Sequence, residues 1–286
     1  MNETEQQVVA VQHSLGSVIY QLPGEFAKGG LVVKKRVLAS KQQYRFEAFA
    51  YRLVRAKGVS VPQVLFADED IILMTQLRGS EMDDREQLFD NAELFASIAN
   101  DLARCHTISL PGFGYTRVVD GEYVGSHASW HSFLDDAGSA VHDIKPMGGL
   151  TRKDLEVLRS YWSHLLPDIQ LEQGVLVHGD FAMSAIFVDG TQYTGLIDFG
   201  DALIGDPLLD IAYFRFKEIT KTYGYAIYER LRSAYIAATG IRWTSRKDDL
   251  ILFYMIFWGF QRLRYCPNRD LQLKFADKLH VVSKLI

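Results

Sequence analysis

Val177-His178-Gly179-Asp180 and, further on, Ile197-Asp198-Phe199-Gly200 each set a carboxylate directly behind an apolar run, with Asp198 lying 18 positions after Asp180. Val175 to Val177 reads as a short strand ending in a turn, and Gly195-Leu196-Ile197 as a second one. An isolated Asp behind apolar residues has little reason to be there unless the turn presents it to a cleft. Two carboxylates on neighbouring turns suit phosphoryl transfer. One acid orients the attacking hydroxyl and takes its proton, while the other holds the metal ion that bridges the phosphates of ATP. Asp180 is the candidate base on this reading. Asp198 is the candidate Mg²⁺ ligand, through hard oxygen contacts.

The remainder of the chain has the composition of a folded domain with a small ligand. At 286 residues, 48% of them hydrophobic, it can bury a large core or split into two lobes. A net charge of −4 argues against nucleic acid as a partner, which calls for a basic excess or stripe. A small, cationic ligand fits better. Cys105 and Cys266 have no metal spacing and read as buried or free thiols, natural to a reducing cytoplasm. Met1 to Gln7 is polar and acidic, unlike a secretory signal. The longest apolar run, Leu250 to Phe260, falls short of the roughly 20 residues that span a bilayer and reads as a buried helix.

Working outward, the N-terminal part alternates β-prone segments with turns. Val18-Ile19-Tyr20 and Leu31-Val32-Val33, separated by Pro23-Gly24 and Gly29-Gly30, predict a hairpin. Ser40 to Lys57 carries Tyr44, Ala48 and Tyr51 at helical spacing and closes at Gly58. Val64-Leu65-Phe66 and Ile71 to Met74 flank the turn Ala67 to Asp70 and predict a second hairpin. This outlines a nucleotide-clamping lobe over residues 1–78, with the boundary near Gly79 and no flexible tether. Residues 79–286 then form a catalytic and substrate-binding lobe. In it, Asp83 or Asp84 caps a long helix through Leu88, Leu94, Phe95, Ile98, Leu102 and Ala103, and Gly112 to Gly125 is a loop rich in glycine and aromatics. Helical stretches are expected over Trp130 to Asp136, Thr151 to Leu166, Leu208 to Thr222, Tyr225 to Ala238 and Lys247 to Arg264.

His178-Gly179-Asp180, Ile197-Asp198-Phe199-Gly200-Asp201, Gly205-Asp206-Pro207 and Asp210-Ile211-Ala212 together resemble the aminoglycoside phosphotransferase family. Gly112-Phe113-Gly114 followed by Trp130 and Phe133 looks like its hygromycin-type members. The resemblance spans residues from about 10 to 270. It implies an α+β, bilobal, protein-kinase-like fold, with a small antiparallel sheet and one helix in the N-lobe and a mostly helical C-lobe. It further implies ATP between the lobes, with GTP an alternative, together with Mg²⁺ and transfer to a hydroxyl of a small molecule. An aminoglycoside is the first candidate acceptor, and choline- or homoserine-type alcohols are alternatives, because fold does not fix substrate.

The same resemblance implies roles for other residues. Lys34 ends the Leu31-Val32-Val33 run as a kinase strand-three lysine does, with Lys35 its rival. Only one of the two faces the cleft, because alternate strand residues point to opposite sides. Lys34 is preferred because it directly follows the triplet. Glu47, 13 positions on, is the candidate partner of that lysine, against the alternative of a solvated helix charge. Thr75, Gln76 and Leu77 leave a strand where the adenine base should meet the chain, and Gly16-Ser17 is a weak candidate for a loop over the phosphates. His178 braces its loop, and Asp206 and Asp210 read as structural. The departure from pattern is Ala185, where a kinase-like loop carries a metal-binding Asn. The enzyme works with fewer protein ligands, or another residue such as Asp201 compensates, or the chain binds nucleotide without efficient transfer. Asp135, Asp136, Asp201, Glu218, Asp248 and Asp249 are candidates to complement a cationic acceptor, most of them reading as surface charges. Trp130, Tyr254 and Trp258 read as core ahead of pocket wall.

Overall fold

The computed structural model describes residues 9–13, 17–22, 30–36, 44–83 and 85–286. The N-terminal part consists of β1 (Val9–His13), β2 (Ser17–Leu22), β3 (Leu31–Arg36), α1 (Tyr44–Ala56), β4 (Val64–Ala67) and β5 (Ile71–Thr75). Its strands form an antiparallel sheet in the order β1-β2-β3-β5-β4. The two expected hairpins are the β2–β3 pair and the β4–β5 pair. Gly16, Pro23-Gly24, Gly29 and the expected helix start at Ser40 lie outside the described residues. Pleating of β3 sends the two lysines to opposite sides. Lys34 is buried and Lys35 exposed. On α1 the Tyr44, Ala48 and Tyr51 stripe is buried as its spacing requires, and Glu47 is buried with it.

After β5 the chain passes through Gly79. Here φ is +84°, and a Cβ would stand 1.9 Å from the carbonyl oxygen of Val188, so only glycine fits this approach. The chain continues with β6 (Ser80–Glu81), α2 (Ala92–Cys105), β7 (Phe113–Val119), β8 (Glu122–His127), α3 (Trp130–Asp143), α4 (Arg152–Leu165), β9 (Val175–Val177), β10 (Ile186–Asp189), β11 (Gln192–Leu196), β12 (Leu203–Gly205), α5 (Leu208–Glu218), α6 (Gly224–Thr239), α7 (Ser245–Tyr265) and α8 (Arg269–Ser283). Two small sheets run β11-β10-β6 and β8-β7-β12-β9. Buried α5 packs against α6 and α7, α2 against α6, and α7 against α8. The apolar run within α7 is buried here, and no helix among the described residues is long and apolar enough to cross a membrane.

Three sequence expectations are corrected. Gly112 to Gly125 is not a loop but the start of the β7–β8 hairpin, turning at Asp120-Gly121 with φ of +51° and +84°. Two consecutive positive φ values make the primed turn that Asp-Gly favours. The helix expected from Asp83 begins instead at Ala92, where Asn91 Oδ1 accepts the Leu94 N–H at 3.0 Å. A separate 3₁₀ turn, Glu86–Leu88, precedes it. A further helix, α8, follows the last one expected and is capped by Asn268, whose Oδ1 accepts the Leu271 N–H. Trp130, Tyr254 and Trp258 are all core residues, with Trp130 Nε1 donating to Tyr254 Oη at 3.0 Å. Both cysteines are buried thiols.

Candidate active site

β9 delivers the chain to His178, Gly179 and Asp180, and five hydrogen bonds brace that loop. Asp210, fully buried in the first turn of α5, accepts the N–H of His178 at 2.8 Å through Oδ2 and that of Gly179 at 3.0 Å through Oδ1. His106 on α2 reaches the same carboxylate through Nε2 at 3.0 Å. His178 Nε2 donates to the carbonyl of Ile197 at 2.8 Å, which leaves Nδ1 to accept the Asp180 N–H at 3.3 Å. One imidazole therefore clamps the Asp180 turn to the strand end that carries Asp198. Gly179 has φ +81°, and a Cβ there would stand 2.0 Å from the Asp201 carbonyl. Gly179→Ala is expected to destabilise the fold by about 1–3 kcal/mol through strain and clash, measured by denaturant unfolding against wild type.

Asp198 sits beyond β11 with φ +68° and ψ +62°, a left-handed conformation uncommon outside glycine that aims its side chain out of the strand line. Its backbone N–H donates to Tyr51 Oη at 2.8 Å, anchoring the turn to α1. Lys34 Nζ donates to Asp198 Oδ1 at 2.8 Å and to Glu47 Oε1 at 2.6 Å. Strand β3, helix α1 and the Asp198 turn thus meet on one ammonium group. Burial works against that charge, but Asp198 and Glu47 outweigh it and hold Lys34 well above the usual lysine range. The Lys34 ammonium pulls the Asp198 carboxyl below its usual range, with burial opposing. Burial raises the Glu47 carboxyl, with Lys34 opposing.

Asp180 and Asp198 are both accessible. Their side chains are 32% and 47% exposed, so neither is sealed from a ligand. Arg262, from α7, joins the Asp180 side of the site: Nη2 donates to Asp180 Oδ1 at 2.8 Å, and the fork also holds Asp201. Burial, opposed by Arg262, raises the Asp201 carboxyl above its usual value. Of the other acidic candidates, Asp136 faces His127, Glu218 is buried against Lys221, Asp248 accepts from Trp243 and Asp249 from Tyr161. Asp201 alone of that set touches a residue bonded to Asp180.

Thr75 ends β5 opposite Leu31, the Gln76 N–H donates to the Gly30 carbonyl at 3.1 Å, and Leu77 runs close to Gly195. These three residues therefore lie at the junction of the first sheet with β11. Ala185 is buried, and its carbonyl accepts the Ile197 N–H at 2.9 Å, so residue 185 sits against the residue before Asp198. Sequence reasoning gave no role to Arg262 or Tyr51. Tyr51 arrives on the buried stripe of α1, and Arg262 on the largely buried α7, where the local pattern reports only core.

With this geometry in view, comparison with known proteins is informative. A family model described as the phosphotransferase enzyme family matches residues 25–248. No curated protein matches the sequence. Among solved structures, a thermostable mutant of aminoglycoside phosphotransferase APH(4)-Ia in its apo form is 16% identical, with a TM-score of 0.73 covering 98% of this chain and 93% of that one. Another such mutant, in ternary complex with AMP-PNP and hygromycin B, is 17% identical with a TM-score of 0.72, covering 97% and 92%. A choline/ethanolamine kinase family protein from Mesorhizobium loti is 16% identical with a TM-score of 0.66, covering 99% and 88%. At these identities the likeness establishes the kinase-like fold: an antiparallel N-terminal sheet with one helix, and a largely helical remainder.

Proposed function

The chain belongs to the phosphotransferase enzyme family, and on that premise we propose that it transfers the γ-phosphate of ATP to a hydroxyl of a small molecule. A hydroxyl-rich cation of the aminoglycoside type is the first acceptor to test. The observation that carries this reading is the convergence of Lys34, Glu47 and Asp198, with an accessible Asp180 on the turn that His178 ties to the strand end before Asp198. Asp180 takes the acceptor proton as its oxygen bonds to phosphorus and the bond to the ADP oxygen breaks. Lys34 faces the nucleotide phosphates, and Glu47 holds it in place. Thr75, Gln76 and Leu77 border the adenine, and GTP is a possible alternative donor. The solved relative holding AMP-PNP and hygromycin B supports both halves of this substrate pair.

The donor set suits Mg²⁺ brought by a nucleotide. Among the described residues no group of three or more His, Cys, Asp or Glu side chains forms a ready-made metal cage. Mg²⁺ is ordinarily held by one or two carboxylates together with substrate phosphates and water. Asp198, half-exposed and held in its charged form by Lys34, would be the protein ligand. When bound, the ion would neutralise charge on the phosphates.

The test is phosphate transfer from ATP, with GTP alongside, to a panel of aminoglycosides, choline and homoserine. Turnover with one of them supports the reading. Nucleotide binding without turnover on any acceptor favours the second reading, a nucleotide-binding protein with little transfer, which Ala185 motivates. Ala185→Asn separates the two further. Because residue 185 adjoins the Asp198 turn, restoring a side-chain oxygen there is expected to raise kcat several-fold in a working enzyme, while a binding module should remain inactive.

A further inference from the structure

Arg262 reaches the site from 82 residues beyond Asp180, and the roles assigned above make no use of it. Its fork makes three bonds to two carboxylates. Nη2 donates to Asp180 Oδ1 at 2.8 Å and to Asp201 Oδ2 at 3.1 Å, and Nη1 donates to the same Asp201 oxygen at 3.1 Å. The guanidinium carbon lies 5.0 Å from the ring centre of Tyr213 and 5.6 Å from that of Trp258. Both rings are buried, so the plane of the fork is set from the core side. Its Nε is buried and has no hydrogen-bond partner among the described residues. A guanidinium has five N–H donors. Nη2 spends both of its protons on the two carboxylates and Nη1 one of its two, so one Nη1 N–H remains for a ligand.

The position of the fork determines what this capacity can serve. An acceptor oxygen within hydrogen-bond reach of Asp180 lies about 3 Å from its carboxylate, and about 3–3.5 Å from the phosphorus it attacks. A cation bonded to Asp180 therefore stands within roughly 9 Å of the transferring phosphorus, and one N–H can turn towards its oxygens. In that group negative charge spreads over three equatorial oxygens, and a fixed cation in a low-dielectric pocket stabilises it strongly. Lys34 lies across the site on Asp198, and Ala185 offers no polar group.

We propose that Arg262 is a catalytic residue that contacts the γ-phosphate of the bound nucleotide, with Asp201 as the positioning residue that holds its fork. The inference rests on the phosphotransferase reading. Arg262 makes and breaks no covalent bond. The acceptor proton still passes to Asp180, and ADP still leaves with the electron pair of the broken P–O bond.

The test compares AMP-PNP with ADP, each with Mg²⁺, by titration calorimetry on wild type, Arg262→Met and Arg262→Gln, with thermal melting of each variant. A lost charge-assisted bond to the γ-phosphate is expected to weaken AMP-PNP by about tenfold or more relative to ADP. Arg262→Gln serves if Arg262→Met does not hold its fold. An AMP-PNP to ADP ratio unchanged in a folded variant overturns the proposal and leaves Arg262 as a strut between α7 and the loop. If wild type binds neither nucleotide, the phosphotransferase reading itself fails and this inference falls with it. If wild type binds both, only the ratio is in question.

Discussion

Asp180→Asn is expected to lower kcat by about 10²–10⁴-fold, the contribution typical of general acid–base catalysis, while leaving ATP affinity and folding close to wild type. The amide is isosteric and its oxygen still accepts the Arg262 Nη2 bond seen at 2.8 Å, so the loop braced by Asp210 and His178 keeps its shape. What it loses is the lone pair basicity that takes a hydroxyl proton. Initial rates on whichever acceptor the panel identifies, with the KM for ATP measured in parallel, decide the matter. A variant within about fivefold of wild type would remove Asp180 from the base role, on the same expected scale.

Lys34→Met has the largest expected effect on stability, a loss of about 3–5 kcal/mol of the kind seen when one partner of a buried pair is removed. Glu47 is 0% exposed, and its Oε2 is buried without a partner among the described residues. Taking away the ammonium strands that carboxylate inside α1. Lys34→Met combined with Glu47→Gln should recover a substantial part of the loss, because it removes the stranded charge along with the cation. Denaturant unfolding of the single and double variants measures this, and a single variant within about 1 kcal/mol of wild type would contradict the buried-pair account.

The pH dependence of the same variant has a definite sign. Lys34 lowers the folded pKa of Asp198. Asp198 therefore adds stability above its unfolded value of about 3.9, and this is lost as pH falls through the lower folded value. The Glu47 carboxyl is shifted upward by burial, so once stranded it protonates readily in acid. The gap between wild type and Lys34→Met should consequently be widest near neutral pH and narrow below about pH 4.

What the sequence disclosed follows the range of the interactions involved. Asp180 and Asp198 stood out because each is a local event, a carboxylate within three residues of a strand end. For the lysine pair, pleating required one of two adjacent side chains to turn inward, and the apolar triplet before Lys34 pointed to the one that β3 buries. The β7–β8 hairpin was obscured by its glycines and aromatics, although Asp120-Gly121 is a strong short-range hairpin signal. Asn91 likewise outcompeted Asp83 as a cap through a hydrogen bond that composition does not advertise. Arg262 had no sequence signal. Its neighbours on α7 are core residues, and its carboxylate partners lie 61 and 82 positions away. The dependence of the loop on His106 and Asp210 is equally non-local, at 104 positions.

Asp180 and Asp198 should address one triphosphate, and a crystal structure with AMP-PNP and Mg²⁺ tests this most directly. It should show the nucleotide between the first sheet and the Asp198 turn, with the metal on Asp198, Lys34 on the phosphates and the γ-phosphate facing Asp180. A nucleotide bound away from these side chains, or a γ-phosphate pointing away from Asp180, would contradict it.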